Sequence, residues 1–338
     1  MICTHFRSSR FFALGALMLS LSCQGPSAPV VVVYTSVDQV YSEPILKRFA
    51  EESGIEVKPV FDVEATKTTG LVQRLIAETD RVRADVFWNG EFAQTLMLAE
   101  RGLLAPYKPG TSGDLSDAMK SPLWTALGCR ARILLVNTDR VDDASIPSQV
   151  ADLLAPQYDP SRLGFANPLF GTTSTHGAAL AVIMGHDGAS DFFRELRNRG
   201  VHMADGNSTI RDLVVSGRLD WGLTDTDDAC QAINNGAPVR MIVPDQDGIG
   251  TLLIPGTVSL IKGAPHPHEA QALIDFLVSR ETEKLLIDSG CFQLSVRPGG
   301  ARASCLPGQP ILPMDVEFEA VYRSLEASQR SLLDIVHR

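Results

Sequence analysis

Apolar residues along the chain fall into two spacings. Residues 30–35 form a continuous β-branched run, the mark of a buried strand. The next stretch has apolar residues three and four apart and reads as a helix. Ser42 is its expected cap, Pro44 sits in its first turn, and Ile45, Leu46 and Phe49 form its inner stripe. Gly54 ends it. Residues 55–61 predict a second strand, and Thr69 opens a helix with Leu71, Val72, Leu75 and Ile76 inward. Residues 84–89 predict a third strand and 91–101 a helix stopped by Gly102. Strand and helix in strict alternation imply a mainly parallel sheet covered by helices.

The alternation then restarts. Strands are expected at 131–136, 165–167, 201–204, 221–225, 239–243 and 251–261. Helices are expected after Thr175, at 191–199, after Asn207, and at 267–279, 281–288 and 315–336. Residues 299–310 form a Pro/Gly-rich loop. Two α/β units thus lie in tandem, joined by long strands near 127–137 and 250–260. The division is 1–22 as a leader, 23–127 as lobe 1, 128–254 as lobe 2, and 255–338 as a return to lobe 1 with C-terminal helices.

The leader sets the compartment. Arg7 and Arg10 precede an apolar core over 11–21, with Ser22 and Cys23 after it. This is the pattern of a secretory signal peptide, and the core falls short of the ~20 residues that span a bilayer. Leu19-Ser20-Leu21-Ser22-Cys23 resembles a bacterial lipobox, so cleavage before Cys23 would expose a thiol for lipid attachment. Gln24, and no Asp, follows that Cys, which favours an outer-membrane anchor in a two-membrane cell. The expected product is a lipid-anchored protein on the periplasmic or cell-surface side. The remaining chain suits two lobes of roughly 100–200 residues each.

A composition of 44% hydrophobic and 21% charged residues provides ample core. The net charge of −10 argues against nucleic acid, whose phosphates want basic faces. Nothing points to obligate oligomers, so a monomer is expected. Four cysteines follow Cys23. Cys291 and Cys305 could close a short loop in an oxidising compartment, with Cys129 and Cys230 as small buried residues.

In parallel sheets the ligand sits beyond the carboxyl ends of the strands. That rule selects Ser36 and Asp38, the segment from Glu64 to Thr69 with Lys67, Thr68 and Thr69, then Glu91, residues 167–176, Asn207 and residues 225–228. These side chains bind without reacting, and each also suits a helix cap. Thr172, Thr173, Ser174 and Thr175 lead into a helix and could hold an anion on free N–H groups and hydroxyls. Asp225, Asp227 and Asp228 crowd three carboxylates at another helix start, where a hard cation would relieve their repulsion. No GxSxG, HExxH or Walker loop is present, and no nucleophile stands beside a base in a recognisable motif. His176 and His186 are spaced too far apart to act as a helical metal pair, and His266 and His268 are expected to be solvated in a loop. The chain is read as a binding protein and not an enzyme.

Longer segments carry a family likeness. "VVVYTSVDQVYSEPILKRFAEESGIEV", "RADVFWNGE", "AERGLLAPY", "ANPLFGTTSTHGAAL", "GNSTIRDLVVSGRLDWGLTDTDDA" and "GTVSLIKGAPHPHEAQALIDFLVSRE" together resemble the periplasmic ferric-ion-binding proteins among ABC-transporter solute-binding proteins. The likeness covers roughly residues 30–300. It implies the type II periplasmic-binding fold, two α/β lobes joined by a two-strand hinge. It also implies partnership with an ABC permease and ATPase, and a bound solute in place of a catalytic cofactor. Carried over by position, the metal ligands are Glu91, Asp38, Asp227 and Asp228. The anion, phosphate or carbonate, falls at Thr172 to Thr175 with Asn207, neutralised by Arg130 or Arg132. One departure stands out. Where the family places two adjacent iron-binding tyrosines, this chain has Asp227 and Asp228, and Tyr34, Tyr41, Tyr107, Tyr158 and Tyr322 lie elsewhere.

Two ligand classes therefore stay open. One is a hard metal ion such as Fe³⁺ with a synergistic anion. The other is a phosphorylated or phosphonate anion held by Ser36, Lys67, Thr68, Thr69, Thr173 to Thr175 and Asn207. A periplasmic enzyme on the same fold is the third and weakest reading.

Overall fold

The computed structural model describes residues 28–62 and 69–336. The leader, its cleavage site and Cys23 lie outside the described residues, as do Lys67 and Thr68.

The first run of elements is β1 (Val30–Thr35), α1 (Gln39–Ser53), β2 (Glu56–Phe61), α2 (Thr69–Ala77), β3 (Val86–Asn89), α3 (Ala93–Glu100) and the short β4 (Leu104–Ala105). β5 (Thr125–Asn137) leads into a second run: β6 (Leu163–Ala166), α4 (Gly171–Asn198), β7 (His202–Ala204), α5 (Asn207–Val215), β8 (Trp221–Asp225), α6 (Thr226–Asn234) and β9 (Val239–Ile242). β10 (Leu253–Ile261) returns, followed by α7 (Pro267–Leu277), α8 (Arg280–Asp288) and α9 (Phe318–Val336).

The main path of the sheet runs β2-β1-β3-β10-β5-β8-β6-β7, with β4 beside β10 and β9 beside β5. β1 is parallel to β2 and β3, and β6 is parallel to β7 and β8. Antiparallel pairing is confined to ladders that include β5 or β10. β5 is shared: its first half pairs with β10, and Arg132 to Val136 pair with β8. Strands that serve two ladders in this way carry the chain from one α/β half to the other. This is the two-lobed, two-strand-hinge arrangement of the type II periplasmic-binding fold.

The crossing is sealed by Phe292. Gly128, at φ 58°, and Gly256 both lie against its ring, where an added Cβ would come within 2.5 Å and 2.3 Å of ring carbons. Only glycine admits that approach. α7 covers the first half, with Ala270, Leu273 and Ile274 buried. α9 lies across both halves. Its Phe318 ring meets Phe92 at 4.5 Å and Tyr322 donates to Glu100. At its other end Leu332 and Ile335 pack in the cluster of Phe193, and Gln329 donates to the Leu169 carbonyl.

Four local expectations need correction. α1 starts at Gln39, and Ser42 lies inside it, donating back to the Val37 carbonyl at 3.0 Å instead of capping. α4 starts at Gly171, so Thr172 to Thr175 form its first turn and not the loop before it. Non-helical backbone at Gly185, φ 80° and ψ 159°, divides the span to Asn198, so two helices stand here as expected, the second opening ahead of residue 191. His266 is only partly exposed and is tied down: its N–H and ring nitrogen both meet the buried Asp85 carboxylate, at 2.7 and 2.9 Å. The disulfide joins Cys230 to Cys305, 75 residues apart, and not Cys291 to Cys305. Thr226 donates to Gln293 at 2.8 Å, which draws α6 with its Cys230 against the C-terminal loop. Cys129 is buried as expected, and Cys291 keeps a thiol.

Candidate functional site

The carboxyl ends of β1 and β3 face the start of α6 across a cavity of about 390 Å³. Ser36, Asp38, Tyr41 and Gly90 line it from the first half. Asp227, Asp228, Cys230 and Arg211 line it from the second, and Arg130 comes from the crossing strand β5. Ser289, Gly290 and Cys291 close one side. Strand ends reach the cleft because β1, β3 and β8 all run toward it, so the residue after each strand is delivered there.

Three carboxylates gather at the end of β8. Asp225, Asp227 and Asp228 each place an oxygen within 4.8 Å of the others. Each also has an arginine. Arg132 Nη1 donates to Asp225 Oδ1 at 2.7 Å, Arg130 Nη1 to Asp227 Oδ2 at 3.1 Å, and Arg211 Nη1 to Asp228 Oδ1 at 3.2 Å.

The three are not equivalent. Asp225 is 2% exposed, and its Oδ2 accepts from Thr172 at 2.6 Å and Asn207 at 3.0 Å. Asp227 keeps one buried oxygen, Oδ1, with no protein donor. Asp228 accepts from Thr224 at 3.0 Å. Burial first, then the neighbouring charges of Asp227 and Asp228's other neighbour Asp225, push its carboxyl up to about 7. Two crowded carboxylates, each held by one arginine, therefore border the cavity.

The remaining expected site residues divide. Ser36 is buried and bonded to Asn89 Oδ1 at 2.5 Å, and it accepts from the Gly90 N–H at 3.1 Å. Asp38 precedes α1 and is exposed on the cavity wall. Glu91 serves α3: its two oxygens accept from the N–H groups of Ala93 at 2.8 Å and Gln94 at 3.0 Å. Burial pushes the Glu91 carboxyl up, while those amides pull it down. It does not line the cavity with the aspartates. Thr172, Thr173 and Asn207 come together around Arg132. Ser174 instead accepts from Gln329 of α9 at 3.0 Å, and Thr175 is bonded to the Gly171 carbonyl at 3.5 Å. Thr69 begins α2.

Arg211, Tyr41 and the 289–292 segment were not foreseen. Arg211 lies one helical turn after Asn207 on α5, so helical spacing from a strand-end residue was the signal for it. The 289–292 segment carried none, because it reaches the cleft from the far end of the chain.

A model of bacterial extracellular solute-binding proteins matches residues 84–315. The chain belongs to this family. Individual relatives match over about four fifths of the chain. An uncharacterized protein of Haemophilus influenzae is 28% identical over 82% of this chain and 81% of its own. Iron uptake protein A1 of Synechocystis is 24% identical over 81% of this chain and 80% of its own. The major ferric iron-binding protein of Neisseria meningitidis is 22% identical over 80% and 82%. Among solved structures, iron-bound HitA of Pseudomonas aeruginosa superposes with a TM-score of 0.77 at 22% identity, covering 91% of this chain and 99% of that one. The binding protein AfuA of Actinobacillus pleuropneumoniae, with fructose-6-phosphate bound, gives 0.76 at 21%, covering 92% and 99%. These structural likenesses establish the fold.

Proposed function

We propose that this solute-binding protein is the extracytoplasmic receptor of an ABC importer and that its solute is a hard cation, Fe³⁺ foremost. One observation carries the reading: Asp227 and Asp228 stand on the cavity wall, crowded together, with a buried Asp227 oxygen lacking a donor. Hard cations take carboxylate oxygens, and a trivalent ion would relieve that crowding most. Asp38, across the cavity, offers a third carboxylate from the other half. The ferric-binding relatives support the same cargo. Closure of the halves would bring Asp38 toward the ion, and the closed form gains only as much as the ion binds it more tightly. The receptor delivers its solute to a permease and ATPase, and a lipid on Cys23 holds it at the periplasmic or cell-surface side of a membrane. Glu91 is assigned to α3 and not to the ion.

A second reading rests on Arg130 and Arg211, two guanidinium groups on the same cavity. Arg130 keeps a buried Nε without an acceptor. Such groups suit the phosphate of a phosphorylated organic solute, with Asp38 and Asp228 taking its hydroxyls or amine. Calorimetry on the ligand-stripped chain from residue 24 separates the two. Fe³⁺ presented as citrate should titrate to one site. Silence toward iron, with heat from a sugar phosphate or phosphonate, replaces the first reading with the second.

A further inference from the structure

We infer that Asp225 is a resident counter-anion, filling with its own carboxylate the place where the cleft would otherwise hold phosphate or carbonate. Its consequence for the solute rests on the cation reading above; the filling of the place does not.

The parts of an oxyanion site are all present. The first turn of α4 supplies the Thr172 and Thr173 hydroxyls, the start of α5 supplies the Asn207 amide, and β5 supplies the Arg132 guanidinium. Guanidinium, hydroxyls and amide at helix starts are the donors that phosphate and carbonate take. Here Arg132, Thr172 and Asn207 turn to one carboxylate, and of the guanidinium only the buried Nε is left without an acceptor. Asp225 Oδ1 accepts from Arg132, and Oδ2 from Thr172 and Asn207. Thr173 turns to the same guanidinium at 3.3 Å.

Register and hydrogen bonds hold the carboxylate there. Asp225 ends β8 directly opposite Arg132 on β5, so the two side chains share a face of the sheet. The register sets Asp225 beside Arg132, and hydrogen bonds from Arg132, Thr172 and Asn207 hold its carboxylate there. The charges also close locally. Arg132 is fully buried and Asp225 nearly so, one positive and one negative. His176, one turn along α4 and buried, is pushed down to about 3 by its burial and by Arg132, so it is neutral and adds no charge. An incoming dianion would displace satisfied bonds and then face an uncancelled carboxylate. The cation is accordingly bound without an exogenous anion at the start of α4, and the anion expected there from the sequence is replaced by a side chain.

The test uses inorganic phosphate and the metal-free protein, followed through backbone amide NMR shifts of Thr172, Thr173 and Asn207. The wild-type amides should stay unmoved up to millimolar phosphate. Asp225→Asn keeps the shape and removes the charge, and should take phosphate at these amides at least about tenfold more tightly. Saturable shifts at these three amides in the wild type overturn the inference. So does a folded Asp225→Asn protein indifferent to phosphate. Should that variant not fold, the wild-type arm decides alone. Iron titrations provide a second readout: affinity unchanged by added phosphate or bicarbonate supports the inference, and a tenfold gain overturns it. A chain that takes no iron in any buffer refutes the cation reading, and the phosphate titration still decides the role of Asp225.

Discussion

Arg132 and Asp225 face each other across the β5–β8 ladder, and their side chains meet at 2.7 Å with almost no exposure. Breaking a buried pair from one side leaves the other charge without compensation, at a cost of about 3–5 kcal/mol. Arg132→Met should therefore lower the urea midpoint strongly. Pairing it with Asp225→Leu should recover most of the loss. Equal midpoints for wild type and Arg132→Met would contradict the burial of this pair.

Asp227→Ala combined with Asp228→Ala removes the two cavity-wall carboxylates and spares Asp225. Iron affinity should fall by about two orders of magnitude or more, since the hard oxygen donors are gone. Circular dichroism and the melting temperature should stay close to wild type, because both side chains border the cavity and not the core. Retained iron affinity moves the cation elsewhere. A new affinity for phosphate in this variant would show Arg130 and Arg211 released from their partners.

Asp245 provides a pH test away from the cleft. It is buried at φ 61°, and burial pushes its carboxyl up to about 6 against one weak pull from the Val150 N–H. The folded chain thus holds a proton that the unfolded chain releases near pH 4. Its contribution is fully present below about pH 4 and is lost as pH rises through about 6. Asp245→Asn should be near neutral at about pH 4 and should stabilise by about 1–2 kcal/mol at about pH 8. Asn also tolerates the left-handed backbone. Parallel denaturation curves at both pH values check the sign, and a gain only at low pH refutes it.

The Cys230–Cys305 bridge closes a long loop, and its removal should cost about 2–4 kcal/mol. Cys305→Ser and treatment of the wild type with reductant should lower the melting temperature alike. Cys291→Ser should leave it unchanged. Peptide mapping under non-reducing conditions should recover the 230–305 pair, and a 291–305 pair would refute it.

Much of the frame was legible in the sequence. The run from Val30 to Thr35 matches β1 residue for residue, and 221–225 matches β8. β5 was foreseen as a joining strand near 127–137, but its apolar pattern marked only 131–136, because its opening half carries Gly128 and Arg130 and looks broken. That half is a strand only because β10 lies beside it. The strand-end rule found the three aspartates and the residues around Arg132. It could not separate Glu91 as a ligand from Glu91 as a cap, since a carboxylate at a helix start serves either. Arg211 was missed because its role depends on α5 lying along α6. The cysteine pairing was missed because nearness in sequence was taken for nearness in space.

The crossing strands also fix an order of completion. β3 waits for its neighbour β10 until residue 261 has been made, so the sheet begun first is finished last. The later sheet, β5 to β9, is contiguous from Thr125 to Ile242 and can pair within itself. During synthesis or refolding the first sheet therefore keeps an open edge at β3, and an open edge invites pairing with other chains.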